Sequence, residues 1–383
     1  MSTDAEILLD RRGTAGIVTL NRPAALNAVT SGMVATLRAA LERWRHDGAI
    51  SRVIVTAAGG RAFSAGGDLR HIFEAGHAGR QSESITFWRE EYALNALIKR
   101  YPKPYVALID GIVMGGGVGI SIHGSHRVAG DRFEFAMPEV GIGFFPDVGA
   151  TWFLPRLPGQ LGTYCALTGA RLKAADAVAA GIATHRVGST RFAELVAGLC
   201  GAVSVDATLA AFAQSAVASS PLQGEVAPPA SRERACATPV SASPLENPAG
   251  PVIAHRRAID RIFAGGSIEE ILALLDAEAA TTSSDARWAG DVAATVRSKA
   301  PLSLKIALSQ MRRGRSYSFE KCMQAEFRVV SRVAYGHDFY EGIRAVIIDK
   351  DNRPQWRPAT LAEVTAASVE RHFAPLESEL VLP

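Results

Sequence analysis

The chain has 383 residues, 41 Lys+Arg against 38 Asp+Glu for a formal net charge of +3, and 48% hydrophobic residues. So small a net charge argues against nucleic acid or a membrane surface as the main partner. No apolar run reaches the ~20 residues that a membrane-spanning helix needs. The four cysteines, Cys165, Cys200, Cys236 and Cys322, form no CxxC pair and read as buried or free thiols. Together with an N-terminus that has no apolar signal core, they point to a cytoplasmic protein.

Residues 5–10 and 16–20 flank Arg11-Arg12-Gly13 and read as a hairpin. Thr30 or Ser31 caps a helix whose Met33, Val34, Leu37, Leu41 and Trp44 make one apolar stripe, ending before Gly48. A β-branched strand over 52–56 leads into a glycine-rich loop over 57–68. A helix over 87–99, a buried strand over 104–109, a helix from residue 115 and a strand over 126–129 follow. Strand, glycine loop and helix in repetition predict an α/β architecture with its chemistry on the loops. Further on, an alanine-rich helix spans 173–181 and a short strand 185–187. Residues 219–251 are rich in Pro, Ser and Ala and predict a connector. Ser267 and Glu270 then make a capping-box pattern before a last helical stretch. The expected regions are 1–190, a helix plus connector over 191–251, and an α-helical region over 252–383.

Several stock motifs fail. The run from Gly115 to Gly119 lacks the GxGxxG spacing, and there is no GK[ST]. Ala62 replaces the first glycine of a GxSxG pattern around Ser64, which weakens that serine as a nucleophile. His123 and His126 lack neighbouring acid or thiol ligands and read as structural, so no metal is expected. Two glycine loops remain, Ala65-Gly66-Gly67-Asp68 and Gly115-Gly116-Gly117, each after a strand and before a helix. On spacing alone they are either close-packed turns or two sets of N–H groups that converge on one ligand oxygen. Glu139 and Asp147 are the only acids between Glu134 and Leu157, in an apolar, glycine-rich stretch. Such a setting raises a carboxyl toward values useful for proton transfer, the alternatives being a capping Asp and a solvated loop Glu. Glu91 lies on a helix, where an acid commonly belongs to a solvated face.

Asn21-Arg22-Pro23-Ala24-Ala25-Leu26-Asn27-Ala28, Phe63 to Asp68, Asp110-Gly111 through Gly117 and Met137-Pro138-Glu139 resemble, in this order, the crotonase (enoyl-CoA hydratase/isomerase) superfamily. Residues 87–95, 114–123, 135–147, 166–185, 336–351 and 354–358 are similar to its 3-hydroxyisobutyryl-CoA hydrolase subfamily, whereas 219–251 depart from it. The resemblance implies a ββα superhelix followed by C-terminal helices, an acyl-CoA substrate, no cofactor besides the CoA of that substrate, and oligomers built on trimers. It implies an oxyanion hole made by the N–H groups of Gly67 and Gly116. The CoA is expected along Arg22, Ala24, Leu26, Ser64, Ala65, Gly66, Gly67 and Asp68. Hydratases of the superfamily use two glutamates, and the place of the first is Gly119 here, while the second is Glu139. Asp147 and Glu91 match acids of the hydrolases. The expected reaction is therefore hydrolysis of 3-hydroxyisobutyryl-CoA, in valine breakdown. Glu139 serves as nucleophile or general base, Asp147 orients the substrate hydroxyl or assists proton transfer, and Glu91 positions the acyl group or water. A hydratase or isomerase working with one glutamate, and a non-catalytic CoA-binding protein, are the competing readings. Ala24 stands where many relatives have a lysine, which leaves the CoA phosphates to Arg22 or a tail residue such as Lys350.

Overall fold

The computed structural model of the chain describes residues 5–201, 203–214 and 250–383. The hairpin forms as its pattern requires: β1 (Ile7–Arg12) pairs antiparallel with β2 (Ala15–Leu20), Ile7 opposite Leu20. Thr30 caps α1 (Ser31–His46), its hydroxyl accepting the Met33 N–H at 3.1 Å. Met33, Val34, Leu37, Leu41 and Trp44 are all buried, so the apolar stripe is the core face.

From β3 (Arg52–Ala57) onward the chain alternates between two sheets. β4 (Ala62–Ser64) follows β3 and precedes α2 (Leu69–His77) and α3 (Gln81–Lys99). β5 (Tyr105–Ile109) is followed by β6 (Ile112–Met114) and α4 (Gly116–Ile122). β7 (His126–Ala129) is followed by β8 (Glu134–Ala136), a 3-10 turn at Glu139–Ile142, and α5 (Ala150–Phe153). β9 (Leu172–Lys173) and β10 (His185–Arg186) close the two sheets. The larger has the order β1-β2-β3-β5-β7-β10 and is parallel after the hairpin. The smaller runs β4-β6-β8-β9, its first three strands parallel. Each turn of the chain thus lays a strand in one sheet, a strand in the other, and then helix. That is the expected ββα spiral.

Sequence patterning does not reveal the smaller sheet, because three-residue strands carry no readable alternation. It also misses α2 and begins α3 at residue 87, whereas the helix starts at Gln81 through a polar first turn. At Ser267 only half of the capping box is made. The serine accepts the Glu270 N–H at 3.0 Å, but the Glu270 carboxylate accepts from Gly266 at 2.6 Å.

Helices Pro301–Gly314 and Phe319–Val333 pack against α5, and the second also against α3. One buried apolar cluster runs from Ile7 to Leu380. The outer face of α3 is tied to the tail, where Arg89 donates to the Glu379 and Ser378 carbonyls at 3.0 and 3.3 Å. The connector expected over 219–251 lies, up to residue 249, outside the described residues. Cys165, Cys200 and Cys322 are buried free thiols. Among the described residues no helix is long and apolar enough to cross a membrane.

Candidate active site

Parallel neighbours end side by side, about 4.8 Å apart. Because β4, β6 and β8 are such neighbours, the segments leaving them meet: Ala65-Gly66-Gly67, Gly115-Gly116 and Pro138-Glu139. The two glycine loops interleave. A Cβ on Gly116 would lie 3.5 Å from the Gly67 nitrogen, and one on Gly66 would lie 3.9 Å from the Gly116 nitrogen. Neighbouring amides are taken up in the fold: Ala65 donates to the Leu26 carbonyl, Val29 to Gly66 and Asp68 to Val29. Among the described residues the Gly67 and Gly116 N–H groups donate to no backbone carbonyl. A Cβ on Gly116 would lie 2.5 Å from Glu91 Oε1, so any larger residue there must displace the Glu91 carboxyl.

Around these loops stand four buried carboxyls. Glu139 opens the turn after β8, with Oε1 3.5 Å from where a Gly115 Cβ would sit and with Oε2 buried and unpartnered. Glu91 points from α3 toward Gly116, and its Oε1 is likewise buried without a partner. Asp147 accepts the Tyr92 hydroxyl at 2.9 Å. Glu326, from helix Phe319–Val333, accepts the N–H groups of Gly149 and Thr151, both at 2.8 Å. Burial first, and then the negative charge of Asp147, pushes Glu91 and Glu139 well above the ordinary carboxylate range. Burial raises Asp147 to about 7 against the lowering pull of the Tyr92 hydroxyl, and raises Glu326 to about 8. A cluster of like charges in a dry site holds protons that exposed carboxyls release.

Glu91 is therefore not on a solvated face: α3 is buried from Glu91 to Ile98. Tyr92, Asn95 and Glu326 escape the sequence reading. Their signal is a polar group within an apolar helical stretch, as with Glu326 between Ala325 and Phe327. His123 is structural, its Nε2–H donating to the Val148 carbonyl at 2.7 Å, and burial lowers its pKa to about 3. Ser64 is buried and accepts the Gly66 N–H at 3.4 Å. A cavity of about 780 Å³ lies beside the first glycine loop, with Val29, Asp68, Ile72 and Phe87 in its wall, while Gly116, Glu139 and Asp147 do not line it. Val29, Ile72 and Phe87 approach the Cβ positions of Gly67 and Gly116 within 3.3–4.0 Å.

A model of the enoyl-CoA hydratase/isomerase family matches residues 15–373. The chain belongs to the enoyl-CoA hydratase/isomerase family. It is 42% identical over 374 residues to the mitochondrial 3-hydroxyisobutyryl-CoA hydrolase of Danio rerio, covering 97% of this chain and 90% of the relative. It is 41% identical over 378 residues to the mitochondrial enzyme of that name from Homo sapiens, covering 98% and 91%. In structure it is similar to a carnitinyl-CoA dehydratase from Mycobacterium thermoresistibile, with TM-score 0.84 and 41% identity over 99% of both chains. An enoyl-CoA hydratase from Rhodobacter sphaeroides 2.4.1 follows at TM-score 0.82 and 36% identity, over 99% of this chain and 100% of the other. The expectation of a cytoplasmic protein is corrected by these relatives, because the matched hydrolases are mitochondrial. Thiol count and the lack of a signal core do not separate two reducing compartments.

Within this family fold, position 119 differs physically from what a second catalytic glutamate requires. A Cβ on Gly119 would lie 2.8 Å from Asn95 Nδ2 and 2.9 Å from Val148 Cβ. Asn95, one helical turn beyond Glu91, fills the space that such a side chain would enter. Of the residues expected along the CoA, Ala24 is exposed and Leu26, Ala65 and Asp68 are half-buried, with the Ala65–Leu26 hydrogen bond joining the two segments, whereas Ser64 and Gly66 are buried beneath them. Arg22 donates to the Ala28 carbonyl at 2.7 Å and bridges Asp68 and Glu6 at 3.0 Å each. Asp68 also caps α2, accepting the His71 N–H at 3.3 Å. Arg22 thus braces the loop, whereas Lys350 is exposed on a segment that Arg70 ties to α2 through the Ile347 carbonyl.

Proposed function

We propose that this chain hydrolyses 3-hydroxyisobutyryl-CoA to 3-hydroxyisobutyrate and free CoA. The observation that carries this reading is one unpartnered, buried Glu139 beside the two glycine loops, with position 119 closed to a second glutamate. Addition of water to a double bond in this family draws on that second acid, whereas cleavage of a thioester needs one attacking carboxylate and a site for the oxyanion. The named hydrolases at about 41% identity support the same choice.

The thioester carbonyl docks on the N–H groups of Gly67 and Gly116, which stabilise the oxygen as it gains negative charge. Glu139 delivers the attack, either by bonding to the acyl carbon or by taking a proton from water. The C–S bond breaks, the thiolate takes up a proton and CoA leaves. In the first route water then hydrolyses the anhydride, and in the second the acid forms directly. Asp147 accepts from the substrate hydroxyl, and Glu91 positions the acyl group or the water. Exposed Lys350 meets the CoA phosphates, because Arg22 is taken up by Ala28, Asp68 and Glu6. Under single turnover the anhydride route releases CoA before acid and leaves an acyl group that hydroxylamine traps, whereas the water route releases both together.

The test is thiol release from a panel of 3-hydroxyacyl-CoA esters and their dehydrated counterparts. Free CoA is expected from 3-hydroxyisobutyryl-CoA, and Glu139→Gln should lower kcat by about 10²-fold or more. Loss of enoyl absorbance without thiol release would establish the hydratase reading instead, and full activity of Glu139→Gln would remove Glu139 from the chemistry.

A further inference from the structure

The turn that carries Asp147 is gripped at nearly every residue by side chains that the reaction above does not use. Val148 and Gly149 both lie in the left-handed region, at φ +51° and +91°, which is rare for a β-branched valine. Gly149 is obligatory, since a Cβ would meet the His123 ring at 2.5 Å. His123 holds the Val148 carbonyl. Gln310, buried on helix Pro301–Gly314, donates from Nε2 to the Pro146 carbonyl at 3.0 Å and to Thr151 Oγ1 at 2.8 Å. Glu326 holds the N–H groups of Gly149 and Thr151 with one oxygen each.

A buried acid with no cationic partner among the described residues is an expensive way to satisfy two amides, since burial disfavours its charged form. Neutral side chains could close the same turn, and this one stands close enough to Asp147 to feel its charge. What the arrangement secures is the placement of the residue between the gripped ones. We propose that Glu326 is a positioning residue for Asp147: with Gln310 it fixes the strained turn from the C-terminal helices, so that the Asp147 carboxyl stays at the thioester. The proposal rests on the reading of Asp147 as a substrate-contacting acid.

The test uses the full chain and steady-state CoA release, with each variant first shown to be folded by its melting curve. Glu326→Gln keeps the shape but sets an amide NH₂ against one of the two N–H groups, and Gln310→Leu removes both donors while leaving the carboxylate. Each is expected to lower kcat by about 10²-fold, the scale of a small misplacement at a reacting centre, with KM little changed. In an Asp147→Asn background neither should cause further loss. A wild-type kcat in both variants overturns the proposal. So does an equal loss in the wild-type and Asp147→Asn backgrounds, which marks an effect that does not pass through Asp147. If Asp147→Asn alone is fully active, the reading of Asp147 itself falls, and the positioning role with it. Should Glu326→Gln not fold, Gln310→Leu carries the same comparison.

Discussion

Four carboxyls, one tyrosine hydroxyl and two glycine loops share a dry volume, and each residue there is constrained by its neighbours more than by its own type. Gly116 shows this most directly. Gly116→Ala places a methyl 2.5 Å from Glu91 Oε1 and 3.3 Å from Val29 Cγ2. The variant should fold, because α4 accepts alanine, but should lose about 10²–10³ in kcat through a displaced amide and a displaced Glu91. Steady-state thiol release checks it, and unchanged turnover would show that Gly116 is only a tight turn. Glu139, Asp147 and the two glycine loops stood out in the sequence because each lies in a short stretch of unusual composition, and the family resemblance then singled out Gly67 and Gly116. Tyr92, Asn95, Gln310 and Glu326 did not, since each sits in an ordinary helical pattern and gains its meaning from a residue on another element. Glu326 meets its partners at residues 149 and 151, a separation that no local window contains.

At the scale of elements, the site is the set of exits from three short parallel strands. The long elements were legible: α1 from its stripe and cap, the larger sheet from its β-branched runs. The smaller sheet, which aligns the glycine loops with Glu139, was not, because β4, β6 and β8 are three residues each. Their register comes from the larger sheet and the helices around them, not from their own side chains. The packing of α4 against α3 also bears on which chemistry the fold can run. Gly119→Glu, which restores a two-glutamate pattern, would drive its Cβ into Asn95 and Val148. Overpacking of this kind costs about 1–3 kcal/mol, and an unpaired buried charge adds to it. The variant should melt at a lower temperature and gain no ability to hydrate an enoyl-CoA, measured by enoyl absorbance. A stable, active hydratase would show that Asn95 yields.

For the molecule as a whole, the buried acids make stability depend on pH. Asp147 holds its proton up to about 7 in the fold, whereas the unfolded chain releases it near 3.9. The native state therefore binds more protons in that interval, so stability falls as pH rises through it, at about 1.4 kcal/mol per pH unit, and levels off above the folded value. Asp147→Asn removes this dependence while keeping an oxygen for the Tyr92 hydroxyl. Between pH 5 and pH 7 the wild-type chain should lose about 2 kcal/mol more than the variant, read from chemical denaturation at the two values. Parallel curves would mean that Asp147 is ionised throughout. The grip on residues 146–151 by Gln310 and Glu326, and the tie from Arg89 to residues 378 and 379, have a consequence for biosynthesis. On the ribosome the glycine loops and Glu139 emerge first, but the acid beside them is not set until helices Pro301–Gly314 and Phe319–Val333 have been made. Nascent chains thus carry a half-assembled centre, and thioester cleavage begins only once the stretch that holds Gln310 and Glu326 has emerged and docked.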